Sequence, residues 1–188
     1  MSRPVVDRSQ GLLAAGALAL VALVALALPA RAGDPGIEIE LDRERFVLRA
    51  VDVASGDEGP SFPVAMGSPA NPTPSGRFGV DRVILNPGWR PGDGARDAGV
   101  RNRPPSLTSP MGVAKIPFAK KGEIALHGAG ERLLLGKPVS SGCVRSDDAD
   151  LLALVAWLHR RGALSEPAAT PDGEVHRRFR RPVRIRVR

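Results

Sequence analysis

A single cysteine, Cys143, lies in the run Ser140-Ser141-Gly142-Cys143-Val144-Arg145, downstream of the pair His127-Gly128. The thiolate rather than the thiol is the nucleophile, so a reactive cysteine needs a neighbour that takes its proton or lowers its pKa. His127 is the best-suited base. His159 falls in the last turn of an expected helix, where a cation suits the dipole, and His176 stands among arginines. Gly142 lets the backbone approach a substrate closely, and the N–H groups of Gly142 and Cys143 are candidates for an oxyanion hole. That combination suits acyl transfer. The expected helix start shortly after Cys143 would favour a thiolate, while Asp147 and Asp148 would oppose it. The competing reading is an inert, buried thiol that packs as a small apolar residue.

The elements that must position these groups are legible in part. Gly122 to His127 contains Ile124-Ala125-Leu126, which fits a short core strand that delivers His127 at its end. After Cys143, Leu151, Leu152, Leu154, Val155 and Leu158 recur at helical spacing. Ser146, Asp147 or Asp148 can cap that helix, and Gly162 can end it. Upstream, Ile37 to Leu41 alternates apolar and charged residues as a half-buried strand does, and Arg45 to Val53 continues in extended style. Pro63 to Gly67 reads as another short strand, and Phe78 to Leu85 as a third, entered through the turn-rich Ser68 to Arg77. From Asn86 to Phe118 no period is sustained. A segment of that length inside one domain predicts a lid or substrate loop, with disorder as the competing reading.

The first 32 residues look like an export signal, with Arg3 and Arg8 ahead of an uncharged run from Gly11 to Leu28 and a small-x-small site at Ala30-Arg31-Ala32. The same run is long enough for an uncleaved membrane anchor. Both readings deliver residues 33–188 outside the cytoplasm as one domain, into the periplasm or cell envelope of a bacterium. A lone cysteine forms no internal disulfide, and a free thiol in an oxidising compartment points to a task. The net charge of +7 favours anionic surroundings. With no tyrosine in the chain, base stacking on aromatic platforms is disfavoured. In the tail from His176 to Arg188, Val183, Ile185 and Val187 alternate with Arg184, Arg186 and Arg188. This predicts a final strand with one solvated face rather than a nucleic-acid arm. The cysteine and histidines lack metal-ligand spacing, and no cofactor motif is present.

Two further segments join the cysteine and histidine runs: Thr73-Pro74-Ser75-Gly76-Arg77-Phe78 and Pro110-Met111-Gly112. With Leu126-His127-Gly128 and Leu135-Gly136-Lys137-Pro138-Val139-Ser140-Ser141-Gly142-Cys143-Val144-Arg145, they resemble the L,D-transpeptidase catalytic domain, also called the YkuD domain. The resemblance runs from about Ile37 to the last strand. It implies a mainly β domain with one or two helices (α+β, a β-sandwich of YkuD type) that acts on peptidoglycan stem peptides without a cofactor. Family members attack the carbonyl between the L-centre of a diamino acid and a terminal D-alanine, form a thioester, and pass the acyl group to an amine of another stem or of an envelope lipoprotein.

Carried over to this sequence, the resemblance makes Cys143 the nucleophile and His127 the base, with the Ser140 carbonyl orienting the imidazole. Gly142 and Cys143 would supply oxyanion N–H groups. Arg145, Ser141 and Gly128 would lie on the substrate side, although a structural ion pair is an equal reading of Arg145. Ser141 stands where many members carry a second histidine, and Ala129 where serine or threonine is frequent. These departures bear on the acceptor, amine or water. The alternatives are therefore an L,D-carboxypeptidase or amidase with the same Cys/His site and, from another class, a non-catalytic wall-binding module.

Overall fold

The computed structural model describes residues 36–91, 99–106 and 108–188. The proposed export segment 1–32 and part of the 86–118 span lie outside the described residues. Among the described residues, no helix is long and apolar enough to cross a membrane.

Among the described residues, eleven strands and one α-helix make a mainly β domain. The strands are β1 (Ile37–Asp42), β2 (Val47–Asp52), β3 (Asp57–Pro63), β4 (Met66–Gly67), β5 (Gly76–Leu85), β6 (Ala114–Ala119), β7 (Ile124–His127), β8 (Pro138–Ser140), β9 (Val144–Arg145), β10 (Ala168–Ala169) and β11 (Val175–Val187). The helix α1 spans Asp148–Arg160. The main sheet runs β3-β2-β1-β11-β5-β6-β7-β9, with β10 alongside β11, and β4 and β8 form a second, two-stranded sheet.

The period-two pattern of β1 puts Ile37, Ile39 and Leu41 in the core and leaves Glu38 and Glu40 on the opposite face. On that face the parallel partner β11 supplies Arg186 to both glutamates, at 3.4 and 3.7 Å, and Arg188 to Glu40 at 3.4 Å. The arginine tail is thus the solvated face of a strand whose Val183, Ile185 and Val187 are buried.

Helix α1 begins where expected. Asp147 is its N-cap, accepting from the Ala149 amide at 2.9 Å, and Asp148 opens the first turn. Gly162 (φ +63°) ends it in a Schellman arrangement, with Ala163 N–H to Leu158 O at 3.0 Å and Gly162 N–H to His159 O at 2.9 Å. Leu151, Leu154, Val155, Trp157 and Leu158 seal the core, while Leu152 points to solvent.

Three sequence expectations change. The extended stretch from Arg45 begins instead in a tight turn, where Asp42 Oδ1 accepts from the Glu44 and Arg45 amides, and β2 starts at Val47. Pro63 closes β3, a strand hidden by its two prolines and one glycine; β3 is tolerated because it is the outer strand of the sheet. Only Met66 and Gly67 then form β4. The irregular span after Asn86 stops at Val113, because Ala114–Ala119 is β6, an inner strand with Ala114, Ile116 and Phe118 in the core. Pro117 masked that alternation.

Across the sheet, Asp52 is almost fully buried and meets Arg181 through two hydrogen bonds of 2.7 and 2.9 Å. The guanidinium bonds hold the Asp52 carboxyl below its ordinary value of 3.8. A depressed carboxylate contributes stability that is complete above its unfolded value and is lost as pH falls through the folded one. Asp52→Asn is therefore expected to cost about 2–3 kcal/mol at pH 7 in urea unfolding. The gap from wild type should narrow as pH is taken below 3.8.

Candidate active site

One face of the β5-β6-β7-β9 segment builds the site. Its register aligns Ile84 with Lys115, Lys115 with His127, and His127 with Arg145. Partners in register share a face, so these side chains form a row across four strands. The intervening residues Val83, Ile116, Leu126 and Val144 are core. All four members of the row, with Cys143 and Ser141, line an open cleft of about 950 Å³.

Cys143 immediately precedes β9. Its Sγ lies 3.6 Å from the Glu123 carbonyl, at the start of β7, and receives the Ala125 amide. Ala125 and His127 are same-face neighbours on β7, so the sulfur is placed at one end of a strand whose other end carries the imidazole. Burial pushes the thiol above its ordinary value of 9.0, against the Ala125 amide and the positive charges of Arg145 and Lys115.

The loop that carries the thiol is tied on both sides. Ser140 Oγ accepts from the Gly142 amide at 3.1 Å and donates to the Cys143 carbonyl at 2.5 Å. Buried Thr73 donates to the Gly142 carbonyl and accepts from the Gly67 amide, both at 2.9 Å. Gly142 adopts φ +112°, and a Cβ there would stand 2.9 Å from Ile124 Cδ1. The backbone angle is what calls for glycine, since the Ile124 methyl is the far end of a flexible side chain.

His127 is 2% exposed. Its Nδ1 lies 2.7 Å from the Gly128 carbonyl. A carbonyl only accepts, so Nδ1 carries the hydrogen and Nε2 keeps the lone pair a base needs. Burial takes its pKa down to about 4, helped by Arg145 and Lys115 and opposed by the Gly128 carbonyl and Asp148. The backbone is held as well, since the His127 carbonyl accepts from the Ser146 amide at 3.0 Å and from Ser146 Oγ at 3.3 Å.

Asp148 fixes the turn after His127. Its Oδ1 accepts from the Ala129 amide at 2.9 Å and the Val113 amide at 3.2 Å. A Cβ on Gly128 would come within 1.9 Å of that oxygen, which is why histidine is followed by glycine. Gly112, from Pro110-Met111-Gly112, packs against the same oxygen.

The cleft is cationic. Arg82, Arg90, Lys115, Lys120, Lys121 and Arg145 line it, with Glu123 the one acidic residue among its described walls. Lys120 and Lys121 take left-handed backbone angles (φ +47° and +55°) at the tip of the β6–β7 hairpin. Among the described residues, no cluster of histidine, cysteine or carboxylates is arranged for a metal ion.

The L,D-transpeptidase (YkuD) catalytic-domain model matches residues 36–183. This chain belongs to that family. No curated protein sequence matches it. The fold is similar to that of an L,D-transpeptidase from Mycobacterium tuberculosis H37Rv, with TM-score 0.51 and 16% identity over 81% of this chain and 57% of that one. It is also similar to the catalytic domain of the Enterococcus faecium L,D-transpeptidase, with TM-score 0.51 and 16% identity over 80% of this chain and 95% of that one. The chain therefore spans less than two thirds of the mycobacterial protein and nearly all of the isolated enterococcal domain.

Several roles suggested for an L,D-transpeptidase domain are placed differently here. The Ser140 carbonyl accepts from the Ser68 amide at 2.8 Å, beside the β4-β8 pairing, and it is the Gly128 carbonyl that orients the imidazole. Gly128 lies under Asp148 and outside the cleft lining. The Gly142 amide is engaged by Ser140 Oγ and so is not free to meet an oxyanion. Ser141 and Arg145 do face the cleft. Asp148 was read only as a possible cap, Thr73 only as part of a motif, and Lys115 as part of a loop.

Two outcomes test this geometry. Thr73→Val strands the part-buried Gly67 amide and the buried Gly142 carbonyl and should cost about 1–3 kcal/mol, measured by thermal or urea unfolding. Because His127 is neutral above pH 5 and the thiol is raised, alkylation of Cys143 by iodoacetamide should climb steadily through pH 9. A plateau between pH 6 and 8 would reveal a preformed thiolate–imidazolium pair and overturn the assignment.

Proposed function

We propose that this chain is a cysteine-dependent L,D-transpeptidase that acts on peptidoglycan stem peptides through a thioester. The observation that carries the reading is the alignment of His127 and Arg145 on paired strands with Cys143 in the same cleft, within a domain of this family.

Substrate would enter with the carbonyl between a diamino acid's L-centre and D-alanine against Cys143 Sγ. His127 Nε2 takes the thiol proton as sulfur attacks, and the resulting oxyanion meets the Cys143 amide. Collapse breaks the C–N bond, and the imidazolium returns its proton to the departing D-alanine amine. The thioester then accepts an amine from a second stem. His127 removes the proton of that amine, and the thiol is restored. A neutral Cys/His pair suits this cycle, since proton transfer accompanies each bond change and no isolated charge has to be held in the buried site.

The lowered pKa of His127 sets its acid limit near pH 4, below which the base is protonated. Delivery outside the cytoplasm fits the substrate and the reading of residues 1–32 as a signal or anchor.

The test is purified protein with a tetrapeptide-bearing muropeptide, products resolved by mass. Dimers mean transfer, and loss of D-alanine alone means water is the acceptor. Cys143→Ala should abolish both products, and His127→Ala should lower the rate by about 10²–10⁴. A carbapenem should add its mass to Cys143, and no adduct would favour a wall-binding module.

A further inference from the structure

We propose that Arg82, Arg90 and Lys115 form a carboxylate-binding subsite beside the Cys143/His127 centre, selecting acyl donors whose internal carboxylate is free rather than amidated. The proposal rests on the transpeptidase reading and deepens it.

Geometry brings the three cations together. Lys115 aligns with Ile84 on one side and His127 on the other. Arg82 is two residues along β5 from Ile84 and shares its face, which places it roughly 12 Å from His127 by strand spacing and rise. Arg90 follows β5 by a few residues and lines the same cleft. The Lys115 pKa is lowered, chiefly by burial, with the Arg90 and Arg82 charges adding to the effect.

Among the described residues, three carboxylates act on these cations, Asp81 on Arg82, Asp172 on Arg90 and Glu174 on Lys115, and none of the three lines the cleft. Arg82 Nη1 is engaged by Asp81 at 2.7 Å, but its Nε is buried and has no hydrogen-bond partner among the described residues. A buried guanidinium N–H without an acceptor is costly, so the Arg82 side chain gains from a shift that turns this N–H towards an acceptor in the cleft. Lys115 Nζ has only a long contact, 3.4 Å, to the Gly88 carbonyl. Glu174, whose charge acts on Lys115, is already used: Oε1 accepts from the Gly88 amide at 2.9 Å and Oε2 lies 2.9 Å from His176 Nε2.

The ligand class follows. A carboxylate presents two acceptor oxygens, matching an arginine Nε–H and a neighbouring ammonium, whereas a carboxamide replaces one acceptor with a donor facing cations. The spacing from His127 suits a carboxylate on a stem residue upstream of the scissile carbonyl, two to three extended residues away at roughly 3.5 Å each.

The test uses two tetrapeptide stems that differ only in whether the internal carboxylates are free or amidated. With full-length Cys143→Ala protein, calorimetry is expected to show the free acid binding about tenfold or more tightly, the range of a hydrogen bond to a charged group. Arg82→Met and Lys115→Met, each placed in that background, should bring the two affinities to within about twofold, and Arg82→Lys should restore part of the difference. Equal binding of both stems, or a preference that both methionine variants retain while their circular dichroism stays native, overturns the subsite. Failure of the function is read separately on wild-type protein: if peptide binds with the expected preference and no thioester forms on Cys143, the subsite stands and the transpeptidase reading falls.

Discussion

The carboxylate of Asp148 is the constraint on which the site depends. It belongs to the first turn of α1, yet its oxygen holds amides from the segment before β6 and from the turn after β7. Charge-assisted bonds to backbone N–H groups are stronger than neutral ones. One side chain therefore fixes the helix against the two strands that carry Lys115 and His127. The glycines at 112 and 128 leave room for that oxygen, so the glycine of the His-Gly pair is a packing requirement.

The thiol of Cys143 is held by a different device. Ser140 and Thr73 use their hydroxyls to satisfy the backbone of the 140–143 turn, and Thr73 also reaches the amide of Gly67. A thiol on a loop is thereby fixed almost as firmly as if it stood within a strand. The imidazole is fixed by its own neighbour's carbonyl, and burial keeps it neutral. Imidazole and thiol are thus both uncharged at rest, beside a cleft lined by cations.

Much of this was legible in the sequence because it followed a period. The alternation in β1 and β11 and the helical spacing of Leu151 to Leu158 reflect one-face burial, and the stop at Gly162 reflects its left-handed backbone angle. What escaped detection lacked that signature. Strand β3 carries Pro60, Pro63 and Gly59, and Pro117 breaks the alternation of β6 although Ala114, Ile116 and Phe118 face the core. Missing β6 meant missing Lys115, whose importance comes only from its register with His127. The carbonyl partner of His127 was misassigned for a similar reason: the ladder bonds of a two-stranded sheet involving Met66 and Pro138 leave no trace in residue type.

The parallel pairing of β1 with β11 joins the beginning of the described domain to its end. Ile37, Ile39 and Leu41 have no neighbour on that side until Val183, Ile185 and Val187 arrive, and β5 must also wait for β11. Closure of such distant pairs comes late in folding. The two strands that flank β11 therefore stay unjoined until the last stretch of chain inserts between them, and the sheet that carries the imidazole gains its continuity with β1 in that single step.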